Sequence, residues 1–447
     1  MLGAKTVLVE RDRLGGDCTW RGCVPSKALL HVASVAQTAR TGERFGIDTG
    51  TPAVDWNRVR AWLDRVRREI YDDADSPQAL GRYGIRVVAG NASFLDAARL
   101  RVIGPSVEET LTARRFVICT GSEPTPLSLD VPYVTADTVF DVPERPRRLV
   151  IAGGGPVGTE CAQAFARLGT AVHLVASTGR LLPRDDSDHA LALQGALETE
   201  GVRFSFGTRV VAARFANGEK VVRLSSGVEL SCDEILVAAG RTPRVAGFGL
   251  EAAGVEVLDG AVVVDARCRT NVRHIFAAGD VTGPPYFTHA AEQMSKIAVA
   301  NALLHLRRRY DASRVPWCTF TDPELAHAGA AESDLRARDV PFTVLAFPND
   351  RLDRAIVDGA TSGSTKLYVG RRGRILGASM LAPRAGEVIG EVALAIDAGM
   401  SVSKLAATMH PYPSYSYGSR RAADGWLAKT LTPTVRRVLR AAFRFRS

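Results

Sequence analysis

The chain has 447 residues, more than one hydrophobic core usually supports, so two or three domains are expected. With 46% hydrophobic and 23% charged residues, no apolar run near the roughly 20 residues of a membrane span and no charged-then-apolar leader, the composition argues against disordered and membrane-embedded classes and predicts a soluble, cytoplasmic protein. The net charge of +9 is concentrated in residues 426–447, where Lys429, Arg436, Arg437, Arg440, Arg444 and Arg446 stand without an acidic residue; the nearly balanced body argues against a nucleic-acid partner.

Residues 4–10 read as a short buried strand ending in Glu10, followed by a turn with Gly15 and Gly16 and a segment holding Cys18 and Cys23. Pro25 to about Thr41 is helical. Residues 57–83 contain a second helical stretch, with Val59, Leu63, Val66 and Ile70 at helical spacing, and residues 85–118 alternate as strands. The last of these, Arg115 to Cys119, runs into Thr120-Gly121. Beyond a Pro-rich bridge at 142–146, one βαβ unit is predicted: strand Leu149 to Ala152, loop Gly153 to Gly158, helix to about Leu168 and strand Ala171 to Val175. It closes near residues 234–240, at Gly240, and Ile275 to Ala277 leads to a further turn at Gly279-Asp280. From Pro316 the pattern predicts a third domain ending near Trp426. In the tail from Trp426, the apolar positions Leu427, Leu431, Val435, Val438, Leu439, Ala442 and Phe443 lie among the arginines, and a basic amphipathic helix is expected after Pro433, suited either to peripheral contact with anionic lipid or to a solvated position beside the third domain.

Two segments carry chemistry. The loop with Gly153, Gly155 and Gly158 fits G-x-G-x-x-G after a strand and before a helix, the context in which it binds a dinucleotide pyrophosphate rather than forming an ordinary turn. The following strand ends at Ala176-Ser177 without the acid that would hold the ribose of NAD, and Arg180 and Arg184 come soon after; this suits NADPH, the plainer reading being solvated arginines. Cys18 and Cys23 are close enough to cycle between dithiol and disulfide, and a helix start at Cys23 with Lys27 one turn on favours its thiolate. Half of a zinc site is the alternative, but no second Cys or His pair at ligand spacing accompanies it. The isolated Cys119, Cys161, Cys232, Cys268 and Cys318 read as small core residues.

The run from Gly15 to Lys27, followed in order by the loops named above, resembles the class I pyridine nucleotide-disulfide oxidoreductases, which include dihydrolipoamide dehydrogenase, glutathione reductase and mercuric reductase. The resemblance covers about residues 1–425. It implies an α/β fold of two Rossmann-like dinucleotide-binding domains, for FAD (1–142 and 265–312) and NAD(P) (143–264), plus an α+β dimerisation domain (313–425), with a basic tail (426–447). It implies a homodimer whose partner C-terminal segment completes each active site, and electron flow from NAD(P)H through FAD to the cysteine pair. On this resemblance Cys23 is the flavin-side thiol and Cys18 the exchanging one; Lys27 lies beside the flavin and pairs with Glu160. Glu10, Gly15, Gly16, Thr120, Gly121, Gly279 and Asp280 then serve FAD, and Gly153, Gly155, Gly158, Ser177, Arg180 and Gly240 serve NAD(P).

The pattern departs from the family at several places. Only nine residues precede Glu10, whereas an acidic ribose ligand belongs roughly 20 residues beyond a phosphate loop. The expectation is a start codon placed too late, or a fragment. Pro156 replaces the usual aromatic cover of the nicotinamide pocket. Tyr412 and Tyr417 occupy the places of the His-Glu dyad that serves disulfide substrates; His410, two residues away, is a candidate to reach the site beside Tyr412, the plainer reading being a capping or packing role. The last cysteine is Cys318, without the terminal pair of mercuric reductases. The expected acceptor is therefore a small oxidant or a soft metal ion. The rival readings are a non-catalytic remnant that binds NADPH as a dimeric partner protein, and a dithiol exchange protein without flavin.

Overall fold

The apolar runs of the first 312 residues become short strands in both parallel and antiparallel sheets, and the computed structural model, which describes residues 3–430 and 433–444, divides into two units: 3–177 with 202–312, and 178–201 with 313–444. In the first unit, β1 (Thr6–Glu10) leads through α1 (Gly16–Trp20) into the 18-residue α2 (Cys23–Arg40) and then α3 (Trp56–Ile70). β1 pairs in parallel with β2 (Ile85–Ala89). A three-stranded antiparallel sheet, β3 (Asn91–Phe94), β4 (Arg99–Gly104) and β5 (Val107–Thr112), follows. β6 (Phe116–Ile118) pairs in parallel with the distant strand Ile275–Ala277.

The second dinucleotide-type layer of this unit is a five-stranded parallel sheet. In chain order its strands are β7 (Val134–Thr135), β8 (Arg148–Ala152), β9 (Ala171–Ala176), β10 (Arg203–Phe206) and β11 (Glu234–Val237), and its spatial order is β10-β9-β8-β11-β7. Its central strands are apolar on both faces, as a covered parallel sheet requires. Leu149, Val150, Ile151, Leu174, Ile235 and Leu236 are all buried. Helix α4 (Pro156–Arg167) connects β8 to β9, completing the expected βαβ unit. The strand Ile275–Ala277, here β12, precedes α5 (Thr288–Leu304).

The second unit is an antiparallel sheet with helices. Its strands β13 (Trp317–Thr319), β14 (Glu324–Gly329), β15 (Thr343–Pro348), β16 (Ser364–Val369) and β17 (Ile375–Ala382) stand in the order β13-β14-β17-β16-β15. Leu367, Ala378, Met380, Ile389, Val392 and Leu405 share its core. Helices α6 (Asp353–Val357), α7 (Ala385–Asp397), α8 (Val402–Ala407) and α9 (Ser416–Thr430) belong to it. The expected helix after Pro433 forms as α10 (Pro433–Arg444). Leu431 and Arg446 of the predicted amphipathic pattern lie outside the described residues.

Two expectations about burial are corrected. β1 forms, but Val7 and Leu8 remain 42% and 39% exposed rather than buried. Adjacent strand residues point to opposite faces, and the single pairing with β2 covers neither. Cys161, Cys232 and Cys268 are core residues as read, whereas Cys318 is only half-buried and Cys119 is exposed, at the end of β6 where the strand gives way to a turn.

Candidate active site

Gly22 sets the geometry of the cysteine pair. A Cβ there would stand 3.0 Å from the Asp17 carbonyl oxygen and 3.6 Å from the Cys18 Cα, so a residue without one lets the short helix α1 turn directly into α2. Cys23 thereby becomes the first residue of an 18-residue helix whose N-cap offers no side-chain acceptor. The positive end of the helix and the Lys27 ammonium both favour a thiolate at this place. The two cysteines are free thiols that hydrogen-bond each other. That bond, with Thr288 Oγ1 at 3.2 Å from Cys23 Sγ, holds the Cys23 thiol down at about 6, against a desolvation effect that opposes it. Cys18 moves the other way, raised chiefly because its proton is shared with Cys23 and then by burial. The pair therefore contains one thiolate and one thiol at neutral pH. Cys161, Cys232 and Cys268, which burial raises to about 12, 11 and 12, stay protonated.

Lys27 donates to both carboxylate oxygens of Glu160, at 3.0 and 2.8 Å, so the pairing expected across 133 residues is present. Glu160 is buried on α4, and such a carboxylate needs a cation beside it. Cys23, Val24, Lys27, Ala28 and His31 of α2 face Trp62, Val66 and Ile70 of α3 across a cavity of about 350 Å³.

Around this core the first unit brings its predicted turns together. β6 and β12 are parallel neighbours, so Thr120-Gly121 and Gly279-Asp280 follow adjacent carboxyl ends, the place where open α/β sheets receive ligands. Thr120 Oγ1 donates to the Arg244 carbonyl at 2.7 Å, and Gly121 and Gly279 take φ of +71° and +78°. Ser122 Oγ donates to Asp280 at 2.6 Å and accepts from Arg241 Nε at 2.7 Å. The other guanidinium nitrogens of Arg241 reach Asp17 at 2.6 Å and Asp137 at 3.1 Å. Arg241 thus ties the residue before Cys18 to the Asp280 turn. Thr288, Ser122, Asp137 and the clamping role of Arg241 are missed by sequence reasoning, because their partners lie between 104 and 265 residues away and no local spacing marks them.

Each glycine of the phosphate loop has a distinct part. A Cβ on Gly153 would lie 2.2 Å from the Ala238 carbonyl, and one on Gly158 would lie 2.0 Å from the Gly153 carbonyl; at Gly155, the N-cap of α4, nothing stands within 4 Å. The first and third permit close packing and the second leaves the backbone open to a pyrophosphate at the helix N-terminus. The loop therefore fits a dinucleotide. Gly240, at φ +123°, ends the same sheet. Gly15, at φ +90°, has Asp75 Oδ2 within 2.6 Å of where a Cβ would be, Gly16 faces open space, and Glu10 closes β1 with a carboxylate that accepts from Asp12 N–H. Ser177 is exposed beyond β9.

The Arg180 guanidinium donates to the carbonyls of Leu181, Leu182, Pro183 and Asp185 at 2.7 to 3.0 Å, so it organises its own loop. Arg184 lies over the Trp317 ring, 5.4 Å from its centroid. In the second unit, His410 is held between Glu391 Oε1 at 2.5 Å and the Thr408 carbonyl at 2.9 Å. Tyr412 is exposed, donates to Asp353 and meets the Tyr417 ring edge-on at 5.6 Å.

Comparison with known proteins supplies the decisive observation: the pyridine nucleotide-disulphide oxidoreductase model matches residues 1–295, and the dimerisation domain of the same family matches residues 315–423. The chain belongs to this family. A mercuric reductase from Streptomyces lividans is 35% identical over 438 residues, 94% of this chain and 91% of the relative. A dihydrolipoyl dehydrogenase from Thermus scotoductus is also 35% identical over 438 residues, 95% and 92% of the two chains. Among solved structures, LpdA from Mycobacterium tuberculosis superposes with a TM-score of 0.89 at 26% identity, covering 95% of this chain and 94% of that one. The Cu(II) complex of the HOCl-induced flavoprotein disulfide reductase RclA from Escherichia coli gives 0.83 at 28% identity, covering 94% of each. Members of this disulphide oxidoreductase family bind FAD and NAD(P). Equal identity to a mercuric reductase and to a dihydrolipoyl dehydrogenase marks the shared family rather than either substrate.

Proposed function

We propose that this chain is a homodimeric NAD(P)H-dependent oxidoreductase that cycles Cys18 and Cys23 between dithiol and disulfide and delivers two electrons to a small oxidant or a soft metal ion. The observation that carries this reading is the asymmetry of the pair: one thiol is lowered to about 6 at a helix start beside Lys27, and its neighbour is raised. A thiolate next to a retained thiol is the state from which a disulfide forms with loss of one proton and two electrons. In the opposite half-cycle the hydride of NAD(P)H, equivalent to one proton and two electrons, restores the thiolate and thiol and leaves NAD(P)+, so the cycle balances.

Bound flavin would supply the two-electron relay between nicotinamide and disulfide. The residues suited to hold it are Asp280, braced by Ser122 and Arg241, and Lys27, oriented by Glu160, with Glu10, Gly15, Gly16, Thr120 and Gly121 along the same ligand. Gly153, Gly155 and Gly158 would take the nicotinamide dinucleotide, with Gly240 and Ser177 at the sheet's edge. With Arg180 engaged by carbonyls, the case for NADPH over NADH rests on the absence of an acid after β9. The 1–142/265–312, 143–264 and 313–425 domain partition follows the same assignment.

Two features favour a small acceptor. The cavity beside Cys23 is walled by Trp62, Val66 and Ile70, and its 350 Å³ lies at the lower end of the range for small-molecule sites. Tyr412, in the place of the dyad histidine, offers a phenol instead of an imidazole general acid, which disfavours thiol leaving groups. The metal-bound state of RclA adds a structural relative in which such a scaffold meets Cu(II). The test is anaerobic titration of the purified protein with NADPH and NADH, followed by absorbance and thiol counting. A flavin spectrum and the gain of two titratable thiols, lost in Cys23→Ser, are expected; a colourless protein, or one whose thiol count does not change, would sink the proposal.

A further inference from the structure

The last helix, α10, lies beyond the residues matched by either family model, and every described residue from Pro433 to Phe443 is exposed. At about 100° per residue, Val435, Val438, Leu439, Ala442 and Phe443 fall within an arc of roughly 140°, while Arg436, Arg437 and Arg440 occupy the remainder. Val438 and Phe443 are 63% and 65% exposed, and Val435 and Leu439 are each 40% exposed. A helix of this length is marginal in water without a surface for its apolar side. We propose that α10 is a membrane-surface helix that docks the protein in the plane of an anionic bilayer.

Charge and dimension choose this occupant. No Asp or Glu follows Asp424, so the surface that complements Arg436, Arg437 and Arg440 is acidic. A second copy of the helix brings the same arginines and no carboxylate. A nucleic acid would satisfy the arginines but leave Val438 and Phe443 in water. An anionic lipid interface serves both faces, burying the apolar arc at the acyl boundary while the arginine stems extend to the headgroups. The helix is only about 18 Å long, against a hydrocarbon thickness of about 30 Å, so it lies on the membrane and does not cross it. No described helix is long and apolar enough to cross.

The experiment is sedimentation of the full chain with phosphatidylcholine vesicles with and without phosphatidylglycerol, read by the bound fraction. Binding to the anionic vesicles that weakens with salt is expected. Replacing Arg436, Arg437 and Arg440 together by Ser should lower partitioning on the order of a hundredfold. Val438→Glu with Phe443→Glu should abolish it, and NADPH oxidation should remain unchanged in both variants. The proposal is overturned if the wild type binds neither vesicle, if it binds neutral vesicles equally, if both variants still bind, or if the loss in a variant accompanies loss of the folded circular-dichroism spectrum while a variant lacking residues 431–447 binds normally. Retention of a labelled RNA, or self-association that depends on α10, in place of vesicle binding would also overturn it.

Discussion

Cys23, at a helix start, gains its reactivity from neighbours that act on one proton: the hydrogen bond with Cys18, then Thr288, and the Lys27 ammonium. Their effect is measurable without any acceptor. Alkylation of Cys23 by iodoacetamide should follow an apparent midpoint at about 6, with the rate rising as pH increases through that value. Cys18→Ser removes the largest of the causes, and Lys27→Met removes the cation. Each should move the midpoint upward towards the ordinary 9.0 of a thiol. An unchanged midpoint in Cys18→Ser would refute the shared-proton account. At this scale the sequence was informative wherever function depends on near neighbours. Cys18, Cys23, Lys27 and the three loop glycines could be read because helical rise and turn geometry fix what four or five residues of separation mean. Thr288 and the Asp17–Arg241–Ser122–Asp280 chain could not, since their proximity is a product of tertiary folding. The loop contacts of Arg180 were hidden for a related reason: a guanidinium four residues from a strand end has both ligands and carbonyls within reach, and four carbonyls of its own loop hold it.

Elements show the same division. The βαβ unit from β8 to β9 was legible from its periodicity and glycines, whereas the exposure of β1 depends on how few neighbours a strand finds, which no pattern within it records. The segment 178–201, though continuous with that βαβ unit, carries a helix, Ser187–Thr199, that belongs to the second unit. A buried polar cluster fastens it there. Asp186 accepts from the Asp188 and His189 N–H groups, from Lys366 Nζ at 2.8 Å and from Tyr368 OH at 2.8 Å; the His189 ring nitrogens meet Ser379 at 2.8 Å and Ser364 at 2.7 Å. Burial is the main cause that lowers the His189 imidazole from 6.5 to about 4, so its proton affinity is weaker folded than unfolded. The resulting stability is fully present above 6.5 and is lost as pH falls through about 4, on the order of 3 kcal/mol in all. Asp186, depressed to about 2, loses its contribution only at still lower pH. Asp185, raised to about 6 by burial, acts in the opposite sense, its contribution present below 3.8 and lost as pH rises through 6. His189→Gln should therefore show a smaller drop in melting temperature between neutral pH and pH near 4.5 than the wild type. An identical drop in the two proteins would place the acid sensitivity elsewhere.

For the whole molecule, the apolar side chains left in solvent have a pattern that a single chain does not explain. Within the dimerisation domain, Met409 is 94% exposed, Val357 69%, Leu394 68%, Tyr412 64% and Ile356 52%. They are neighbours: the His410–Glu391 contact brings Met409 to α7, one turn from Leu394, and the Tyr412–Asp353 bond brings the same loop to α6, which carries Ile356 and Val357. Apolar surface of this kind marks interfaces, and the dimerisation-domain match suggests a second copy as the partner to test against it. Light scattering coupled to gel filtration should give about twice the 47.9 kDa chain mass for the wild type. Leu394→Glu with Met409→Glu places carboxylates in the desolvated centre of that surface, where an unpaired charge opposes association, and should give a species near 47.9 kDa with its circular-dichroism spectrum retained. If catalysis draws a C-terminal segment from the partner, acceptor reduction falls in the monomer while the Cys23 alkylation midpoint stays near 6, because Cys18, Lys27 and Thr288 all come from the same chain. A dimer that survives both substitutions would show that the exposed patch serves another partner.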